Sequence, residues 1–272
     1  MTATTAHTST STERERKLGR RVRARQVTGR VIRQFWLLPV VLIVWDLTVR
    51  LNHYNVIVMP SPGALFSELF RNPAAFAPDT GYTMATTLAG LFIGTLLGLI
   101  LAVSVWWSKI IYGLVQPVTL LLRTVPVVVF IPVLARVFGY DSSSVIAVTS
   151  VVSLFPAFVW TLSGLQSTPD AHRDLFEVNG SRRVRLLTRL ALPCALPSVA
   201  MALRISAPTA VVGALLGEYL VGEHGLGHLF AQAMLYGEPL QAWAAAVIAT
   251  LFSVALYLGA GRLERWVSLR FS

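Results

Sequence analysis

Apolar residues in this chain are gathered into six long stretches, and polar residues are mostly confined to the segments between them. The stretches lie at 33–51, 84–106, 110–138, 143–165, 195–221 and 241–261. A helix of about 20 apolar residues is long enough to cross the hydrocarbon core of a bilayer. The pattern therefore predicts an all-α integral membrane protein with six transmembrane helices, in a transmembrane domain covering residues 33–265.

The third stretch is too long for one straight crossing. About 29 residues at about 1.5 Å each give about 43 Å, against a hydrocarbon core of about 30 Å. The stretch also contains Pro117, Pro126 and Pro132, which interrupt helical hydrogen bonding. The sequence predicts a kinked helix here, or a short helix followed by a span.

Composition agrees with a membrane location. Of the 272 residues, 54% are hydrophobic and 13% are charged, and the mean hydropathy is +0.63, which excludes an ordinary soluble domain. The formal net charge of +10 would suit a nucleic-acid-binding protein. The basic residues flank the apolar stretches instead, so no nucleic-acid partner is expected. The single cysteine, Cys194, excludes an internal disulfide.

The distribution of basic residues predicts the orientation in the membrane. The segment 13–33 holds nine of them, the segment 166–192 holds five arginines and the chain after 261 holds three more. By contrast, the loop 52–83 holds only Arg71 and the loop 222–240 holds none. Because cytoplasmic loops carry the excess of Lys and Arg, both termini are predicted to be cytoplasmic. Residues 1–32 are predicted to be a disordered basic tail, and residues 266–272 a second cytoplasmic tail.

The segment between the fourth and fifth stretches is polar and amphipathic. Ser167-Thr168-Pro169-Asp170 predicts a helix start, the helix is expected to run to about Val178, and Asn179-Gly180 predicts its end. Ser181 is expected to cap a second helix that ends before Pro193. One face of that second helix is apolar and holds Val184, Leu187 and Ala191. The opposite face is basic and holds Arg182, Arg185 and Arg189. Such a segment either docks on a protein in the cytosol or lies on anionic lipid.

Ionisable residues inside the apolar stretches are candidates for function, because charge is costly at membrane depth. Asp46 is expected to pair with Arg50, one turn later, and Arg204 to extend its side chain toward the membrane surface. Arg123 and Glu218 are the candidates for a pathway or gate. The alternative for both is an internal ion pair that fixes helix packing.

Small residues and prolines predict further local structure. Gly90, Gly94 and Gly98 give the second stretch a smooth face, and the fifth has Gly213-x3-Gly217 beside Ala210 and Ala214. These faces are expected to pack within the chain, with a subunit interface as the alternative. Short helices are predicted after Pro60-Ser61-Pro62 and around Leu229–Leu235. His224 and His228 suggest a zinc pair, but Gly225 and Gly227 argue against a helix there, so no metal is expected.

The polar segment resembles the cytoplasmic signature of ABC-importer permeases, which reads Glu-Ala-Ala, three residues, Gly, nine residues, Ile, one residue, Leu-Pro. Asp174, Leu175 and Phe176 stand at the Glu-Ala-Ala positions, and Gly180, Leu190, Leu192 and Pro193 follow without an insertion. Pro60-Ser61-Pro62, Arg123-Thr124-Val125-Pro126 and Glu218 followed by Gly225-Leu226-Gly227 are similar to permeases for nitrate, sulfonates, taurine and thiamine-pyrimidine precursors. The resemblance covers roughly residues 35–265.

This resemblance implies the MetI-like, type I importer architecture in a bacterial plasma (inner) membrane. It implies a small solute as substrate, with an anionic one suggested by Arg123. It also implies four kinds of partner: two ATPase subunits, a second permease that is identical or homologous, an extracytoplasmic substrate-binding protein, and membrane lipid. The residues expected to couple to the ATPase are Asp174, Leu175, Phe176, Glu177, Gly180, Leu190, Leu192 and Pro193.

The sequence gives no sign of an ATPase site of its own. A phosphate-binding loop needs Gly-Lys-Ser/Thr, whereas Lys17 is followed by Leu and Lys109 by Ile. ATP and Mg are therefore expected on a partner chain, and no catalytic residue or cofactor is expected on this one. The alternatives are an ion-gradient-driven secondary transporter, with Glu218 and Asp46 as proton sites, and a membrane-embedded enzyme.

Overall fold

The computed structural model describes residues 36–271, and it gives only the backbone of residues 38, 116, 118–124, 170, 173, 175 and 177. Every regular element in this part of the chain is helical, which confirms the all-α fold. The helices are α1 (Leu37–Leu51), α2 (Pro62–Arg71), α3 (Pro73–Trp107), α4 (Lys109–Thr124), α5 (Val127–Phe138), α6 (Ser142–Gln166), α7 (Asp170–Val178), α8 (Arg183–Leu186), α9 (Leu192–Val221), α10 (Leu226–Leu235) and α11 (Pro239–Phe271).

Within residues 36–271, four helical segments are long and apolar enough to cross a membrane. They are Pro73–Trp107, Ser142–Gln166, Arg183–Val221 and Pro239–Phe271. They correspond to the second, fourth, fifth and sixth predicted spans. The first predicted span begins before the described residues, and its described helix α1 has 15 residues. The count of six spans therefore stays a prediction.

The proline-rich third stretch is divided, as its length and its prolines predicted. Helix α4 ends at Thr124, Pro126 adopts an extended conformation with ψ of 131°, and α5 begins at Val127. Pro126 lacks a backbone N–H and restricts the residue before it to an extended conformation, so the helix stops there. The result is two short helices in place of one long span.

Two helices are longer than the apolar stretches that predicted them. Helix α3 starts at Pro73, eleven residues before the predicted start of its span, with proline at its first turn. Helix α11 continues through Phe271, so the described residues of the predicted C-terminal tail are its last turns. Hydropathy marks only the part of a helix that lies in lipid, and polar residues extend both helices beyond it.

The chain divides into two compact units, Met1–Ala64 and Leu65–Ser272. In the described part of the first, Asp46 and Arg50 form the predicted ion pair, with 2.6 Å between Arg50 Nε and Asp46 Oδ2. The Ser61 hydroxyl accepts a hydrogen bond from the Ala64 amide and begins the predicted short helix α2. The predicted tail at 1–32 lies outside the described residues.

Helix α6 is the centre of the second unit, and α3 and α9 both pack against it. A Cβ on Gly90 would lie 2.6 Å from Thr149 Cγ2, and one on Gly98 would lie 2.7 Å from the Leu154 carbonyl oxygen. On α9, a Cβ on Gly213 would contact Val152 at 3.2 Å. The glycine faces of α3 and α9 therefore pack within the chain, as predicted, because small residues let helix backbones approach closely.

Candidate functional site

The basic segment, defined here as residues 167–193, begins where α6 ends at Gln166. The Ser167 amide donates to the carbonyl oxygens of Ser163 and Gly164, and the buried Thr168 hydroxyl donates to the Leu165 carbonyl at 3.3 Å. These bonds satisfy the last carbonyls of α6. Helix α7 then runs from Asp170 to Val178, which confirms the predicted helix and its bounds.

Gly180 ends α7 in the way that its sequence position predicted. Its φ is +62°, in the left-handed region. The Ser181 amide reaches back to the Phe176 carbonyl oxygen at 2.9 Å, the bond typical of a Schellman cap. A Cβ on Gly180 would meet nothing within 4 Å, so glycine is favoured here by backbone conformation and not by lack of space.

The second half of the basic segment differs from the prediction in two ways. Ser181 does not cap a helix, because Arg182 is the residue before α8 and makes no side-chain cap bond. The helix also does not end before Pro193: a π-helical turn, Leu187–Ala191, leads directly into α9. Proline lacks an N–H, and its ring collides with the carbonyl four residues earlier. A π turn at that place widens the helix, so Pro193 ends no helix and lies in the first turn of α9.

The basic segment is anchored to the helix bundle by a small apolar cluster. Leu187, Ala191 and Ala195 are buried together with Ala102 and Val105 of α3 and Phe158 and Leu165 of α6. The predicted apolar face is only partly correct, because Val184 is exposed and Leu186 is buried in its place. The π turn changes which side chains face the bundle, and a regular helical period does not take this into account.

A pair of tryptophans at the end of α3 adds a second anchor. The Arg183 guanidinium lies 6.0 Å from the ring centre of Trp106 and 5.8 Å from that of Trp107. These distances are within the range of cation–π attraction. The contact holds the start of α8 against α3.

The predicted coupling residues separate into an outward and an inward group. On α7, Asp174 and Val178 are exposed and Phe176 is half-buried, while the side chains of Leu175 and Glu177 lie outside the described part. Leu190, Leu192 and Pro193 are half-buried, and Leu192 packs against the apolar cluster that anchors the segment. Helix α7 therefore presents a surface, and residues 190–193 attach that surface to the bundle.

Arg204 contacts two side chains of α11, and its extension toward the membrane surface stays a prediction. Its Nη1 lies 2.6 Å from Glu264 Oε2, and its Nη2 donates to the Tyr257 hydroxyl at 2.9 Å. The guanidinium also lies 4.6 Å from the centre of the Tyr257 ring. Tyr257 and Glu264 are seven residues apart on one face of α11. Arg204, inside its own span, is therefore paired with side chains of the neighbouring helix.

Glu218, the second pathway candidate, is fully buried near the other end of α9. Its carboxylate accepts hydrogen bonds from the hydroxyls of Thr83 (2.8 Å) and Thr86 (3.2 Å) and from the Gly227 amide (3.0 Å). Its described partners are thus hydroxyls and an amide of its own chain. Arg123, the other candidate, lies in α4 next to its C-terminal residue, and its side chain is outside the described part.

The same network holds the first turn of α10. The Leu226 amide donates to the Thr83 hydroxyl and the Gly225 amide donates to Asp79 Oδ1, both at 2.8 Å. Helix α10 begins at Leu226, three residues before the predicted Leu229. Sequence reasoning missed Asp79, Thr83 and Thr86, although their spacing of four and three residues marks a polar stripe on one face of α3.

The same loop holds His224 and His228, for which no metal was expected. The His224 ring contacts the Tyr82 ring edge-on, with 5.6 Å between centres. Across the residues with described side chains, no group of three His, Cys, Asp or Glu side chains is arranged to hold a metal ion.

Comparison with known proteins decides the family. Residues 94–272, more than half of the chain, match the family described as binding-protein-dependent transport system inner membrane component. The chain belongs to this family of ABC-importer permeases. The matched residues include α6, the whole basic segment and Glu218. The permease is accordingly a multi-pass protein of the inner membrane.

Individual relatives agree with this assignment. A probable ABC transporter permease protein of Haemophilus influenzae is 31% identical over 228 residues, covering 84% of this chain and 93% of its own length. The formylaminopyrimidine transport permease protein ThiX of Halalkalibacterium halodurans is 29% identical over 224 residues, covering 82% and 89%. The permease is therefore similar over most of its length to members of the subgroup that the sequence motifs indicated.

A solved structure supports the fold. The permease matches a chain of the MetNI methionine ABC transporter, in inward-facing conformations, with a TM-score of 0.62 and 19% identity. The match covers 70% of this chain and 94% of that one. This confirms the MetI-like architecture that the resemblance implied.

Proposed function

We propose that this permease forms the translocation pathway for a small solute and is driven by a separate ATPase that binds the basic segment. The observation that carries the proposal is the arrangement of α7. Its exposed and half-buried side chains, Asp174, Phe176 and Val178, stand outside the bundle, and Gly180 returns the chain to the apolar anchor at Leu187 and Ala191. A helix presented in this way suits a groove on a partner.

The geometry also suits transmission of movement. The helical segment Arg183–Val221 is continuous through the π turn, and its 39 residues span about 58 Å. A displacement that reaches Arg183 through the turn at Gly180 is therefore carried to the far end of α9 without a further loop. A secondary transporter would have no use for such a segment.

The partners follow from the same proposal. Two ATPase subunits carry ATP and Mg, a second permease (identical or homologous) completes the pathway, and an extracytoplasmic binding protein delivers the solute. Both termini and the basic segment face the cytoplasm, because the excess of basic residues lies there.

The proposed substrate is a small solute of the kind carried by this subgroup: a sulfonate, nitrate, taurine or a thiamine-pyrimidine precursor. The name of the Halalkalibacterium relative, formylaminopyrimidine transport permease, points to the last of these. Arg123 stays a candidate for contact with an anionic substrate. Replacing it by Gln is expected to weaken uptake of an anion, and unchanged uptake and apparent affinity would remove Arg123 from the pathway.

The test of ATPase docking compares two aromatic positions at opposite ends of the bundle. Phe176→Asp places a charge in the proposed interface, so the ATPase should no longer co-purify with the permease and ATP-dependent uptake should be lost. Tyr236→Asp introduces the same charge at an exposed site after α10 and should leave co-purification intact. Both variants should insert normally into the membrane.

The comparison also has a clear negative result. If Phe176→Asp retains the ATPase and supports normal uptake, the basic segment is not the docking site. Uptake into vesicles that requires only an ion gradient, with no ATPase subunit and no ATP, would overturn the whole proposal.

A further inference from the structure

Three consecutive backbone amides open α10, and each one donates to a different side chain of a membrane-spanning helix. Gly225 donates to Asp79, Leu226 to Thr83 and Gly227 to Glu218, at 2.8, 2.8 and 3.0 Å. The first amides of a helix have no acceptor within the helix itself. Here α3 and α9 supply the acceptors, and two of the three are carboxylates, which the positive end of the helix dipole favours.

The Thr83 hydroxyl links Glu218 to the start of α10. The Thr83 hydroxyl has one proton and donates it to Glu218 Oε2, so its oxygen is free to accept from Leu226. Glu218 therefore joins α9 to α3 through its bond with Thr83. It also holds the start of α10, directly through the Gly227 amide and indirectly through Thr83 and the Leu226 amide. Thr83 and Glu218 have no exposed surface, so water does not compete for these bonds.

The glycines of this turn allow it to close on the carboxylate. Gly225 has a φ of +102°, and a Cβ there would lie 2.7 Å from Glu218 Oε1. A Cβ on Gly227 would lie 2.8 Å from Glu218 Cβ. Glycine is therefore needed because the backbone packs directly on the glutamate. The glycine-rich stretch is a tightly packed turn.

We propose that Asp79, Thr83 and Glu218 are positioning residues that form a clamp and make α10 move as one body with α3 and α9. Because α9 is continuous with the basic segment, the clamp delivers ATPase-driven movement to α10 at the far end of the bundle. This role rests on the proposed function. It also gives Glu218 a task different from contact with substrate: its carboxylate acts through backbone amides.

Replacing Glu218 by Gln separates these two roles. A Gln amide oxygen in the place of Oε2 can accept from Thr83 and Gly227, and its NH2 can donate to the Thr86 hydroxyl, which has carbonyl acceptors at Tyr82 and Thr83 for its own proton. Glu218→Gln thus keeps the clamp and removes the ionisable carboxyl, whereas Glu218→Leu removes both. The Leu variant is expected to fold, because Leu226 still packs on Ala245 and Ala249 of α11.

The first experiment measures amide hydrogen exchange across 222–236 in the full chain, in lipid nanodiscs and without partners. Glu218→Leu and Thr83→Val should speed exchange at Gly225–Gly227 by about tenfold, the effect of losing a hydrogen bond in a locally opening segment. Glu218→Gln should stay within about twofold of the parent. The control, Glu223→Gln, neutralises an exposed acid in the same turn, and its exchange rate should also stay within about twofold of the parent. Exchange in Glu218→Leu no faster than in the parent, or Glu218→Gln as fast as Glu218→Leu, would overturn the clamp.

The second experiment tests whether ATPase-driven movement reaches α10. It uses the complex of the full chain with its co-purified ATPase. In a Cys194→Ser background, a spin label at Thr188→Cys reports on the basic segment and one at Gln232→Cys reports on α10. Adding ATP, Mg and vanadate should change both spectra in the parent and in Glu218→Gln. In Glu218→Leu only the Thr188 label should respond.

The two labels distinguish a failure of the proposed function from a failure of the clamp. A Thr188 label that is silent in the parent, or the lack of any co-purifying ATPase, counts against the proposed function. A Thr188 label that responds while the Gln232 label is silent in the parent, or responds equally in Glu218→Leu, counts against the clamp alone.

Discussion

Gly98 of α3 lies directly against the backbone of Leu154 on α6. A Cβ on Gly98 would be 2.7 Å from the Leu154 carbonyl oxygen and 2.8 Å from Ala157 Cβ. The neighbouring atoms belong to backbone or to alanine, so they have no side-chain freedom with which to move away. The contact leaves no room for a side chain to be inserted between α3 and α6 at this point.

Gly98→Ala should therefore destabilise the permease by about 1–3 kcal/mol, the usual cost of overpacking a core. Gly81 of the same helix is the matched control, because a Cβ there meets nothing within 4 Å. Gly81→Ala should be neutral or stabilise by up to about 1 kcal/mol through helix propensity. Thermal unfolding of the two purified variants in one detergent measures the difference. Equal unfolding temperatures would mean that the α3–α6 contact does not limit stability.

The ion pair between Arg204 and Glu264 should contribute to the packing of α9 on α11. Glu264→Gln removes the charge but leaves Arg204 over the Tyr257 ring, so the unfolding temperature should fall by a few degrees. Removing Arg204 by Arg204→Gln should lower it further, since the ring contact and both hydrogen bonds go as well. Arg262→Gln, on an exposed position of α11, is the control for loss of a positive charge. If the charge-swapped pair Arg204→Glu, Glu264→Arg is no more stable than either single swap, the pair is not a stabilising contact.

Gly180 should be required for its backbone conformation alone. A residue with a Cβ costs about 1–2 kcal/mol in the left-handed region, so Gly180→Ala should weaken ATPase binding by about 5–30-fold. Asn tolerates this conformation better than other residues, and Gly180→Asn should restore most of the binding. Gly113→Ala, at a helical position with nothing within 4 Å, should have no effect. Ala and Asn variants with the same affinity would argue that the turn does not shape the docking surface.

Helix α6 should be sensitive to acid at its first turn. Hydrogen bonds from the hydroxyl and the backbone N–H of Ser143 hold the pKa of the Asp141 carboxyl below its ordinary value of 3.8. A carboxyl with a depressed pKa stabilises the fold above its ordinary pKa, and that contribution is lost as the pH falls through the folded pKa. Exchange at the Ser143–Val145 amides, corrected for intrinsic rates, should thus accelerate below about pH 3.8 in the parent. In Asp141→Asn this acceleration of exchange at low pH should be absent. If the variant shows the same acceleration as the parent, a group other than Asp141 causes it.

Most of the helices were predictable because their causes are local. The bounds of the apolar stretches 143–165 and 195–221 agree with those of α6 and α9 to within a few residues. Pro126 and Gly180 determine the backbone conformation at their own positions. Proline and glycine change the allowed dihedral angles of their own residue and its neighbour, whatever the rest of the chain does. The pairing of Asp46 with Arg50 was predictable for the same reason, since they are one helical turn apart.

The features that were missed depend on which helices become neighbours. Nothing close in sequence pairs Arg204 with Glu264, sixty residues later, or brings Thr83 to Glu218. The exposure of Val184 and the continuous passage through Pro193 follow from a π turn, which a regular period of 3.6 residues does not describe.

The sequence by itself determined that this protein lies in a membrane, that a short polar helix follows the fourth apolar stretch, and to which family the protein belongs. Hydropathy, charge bias and the spacing from Asp174 to Pro193 are properties of the chain alone. Only the tertiary structure decided what Glu218 and Arg204 do. An ionisable side chain inside a span takes its role from the groups that surround it, and those groups come from helices distant in the sequence.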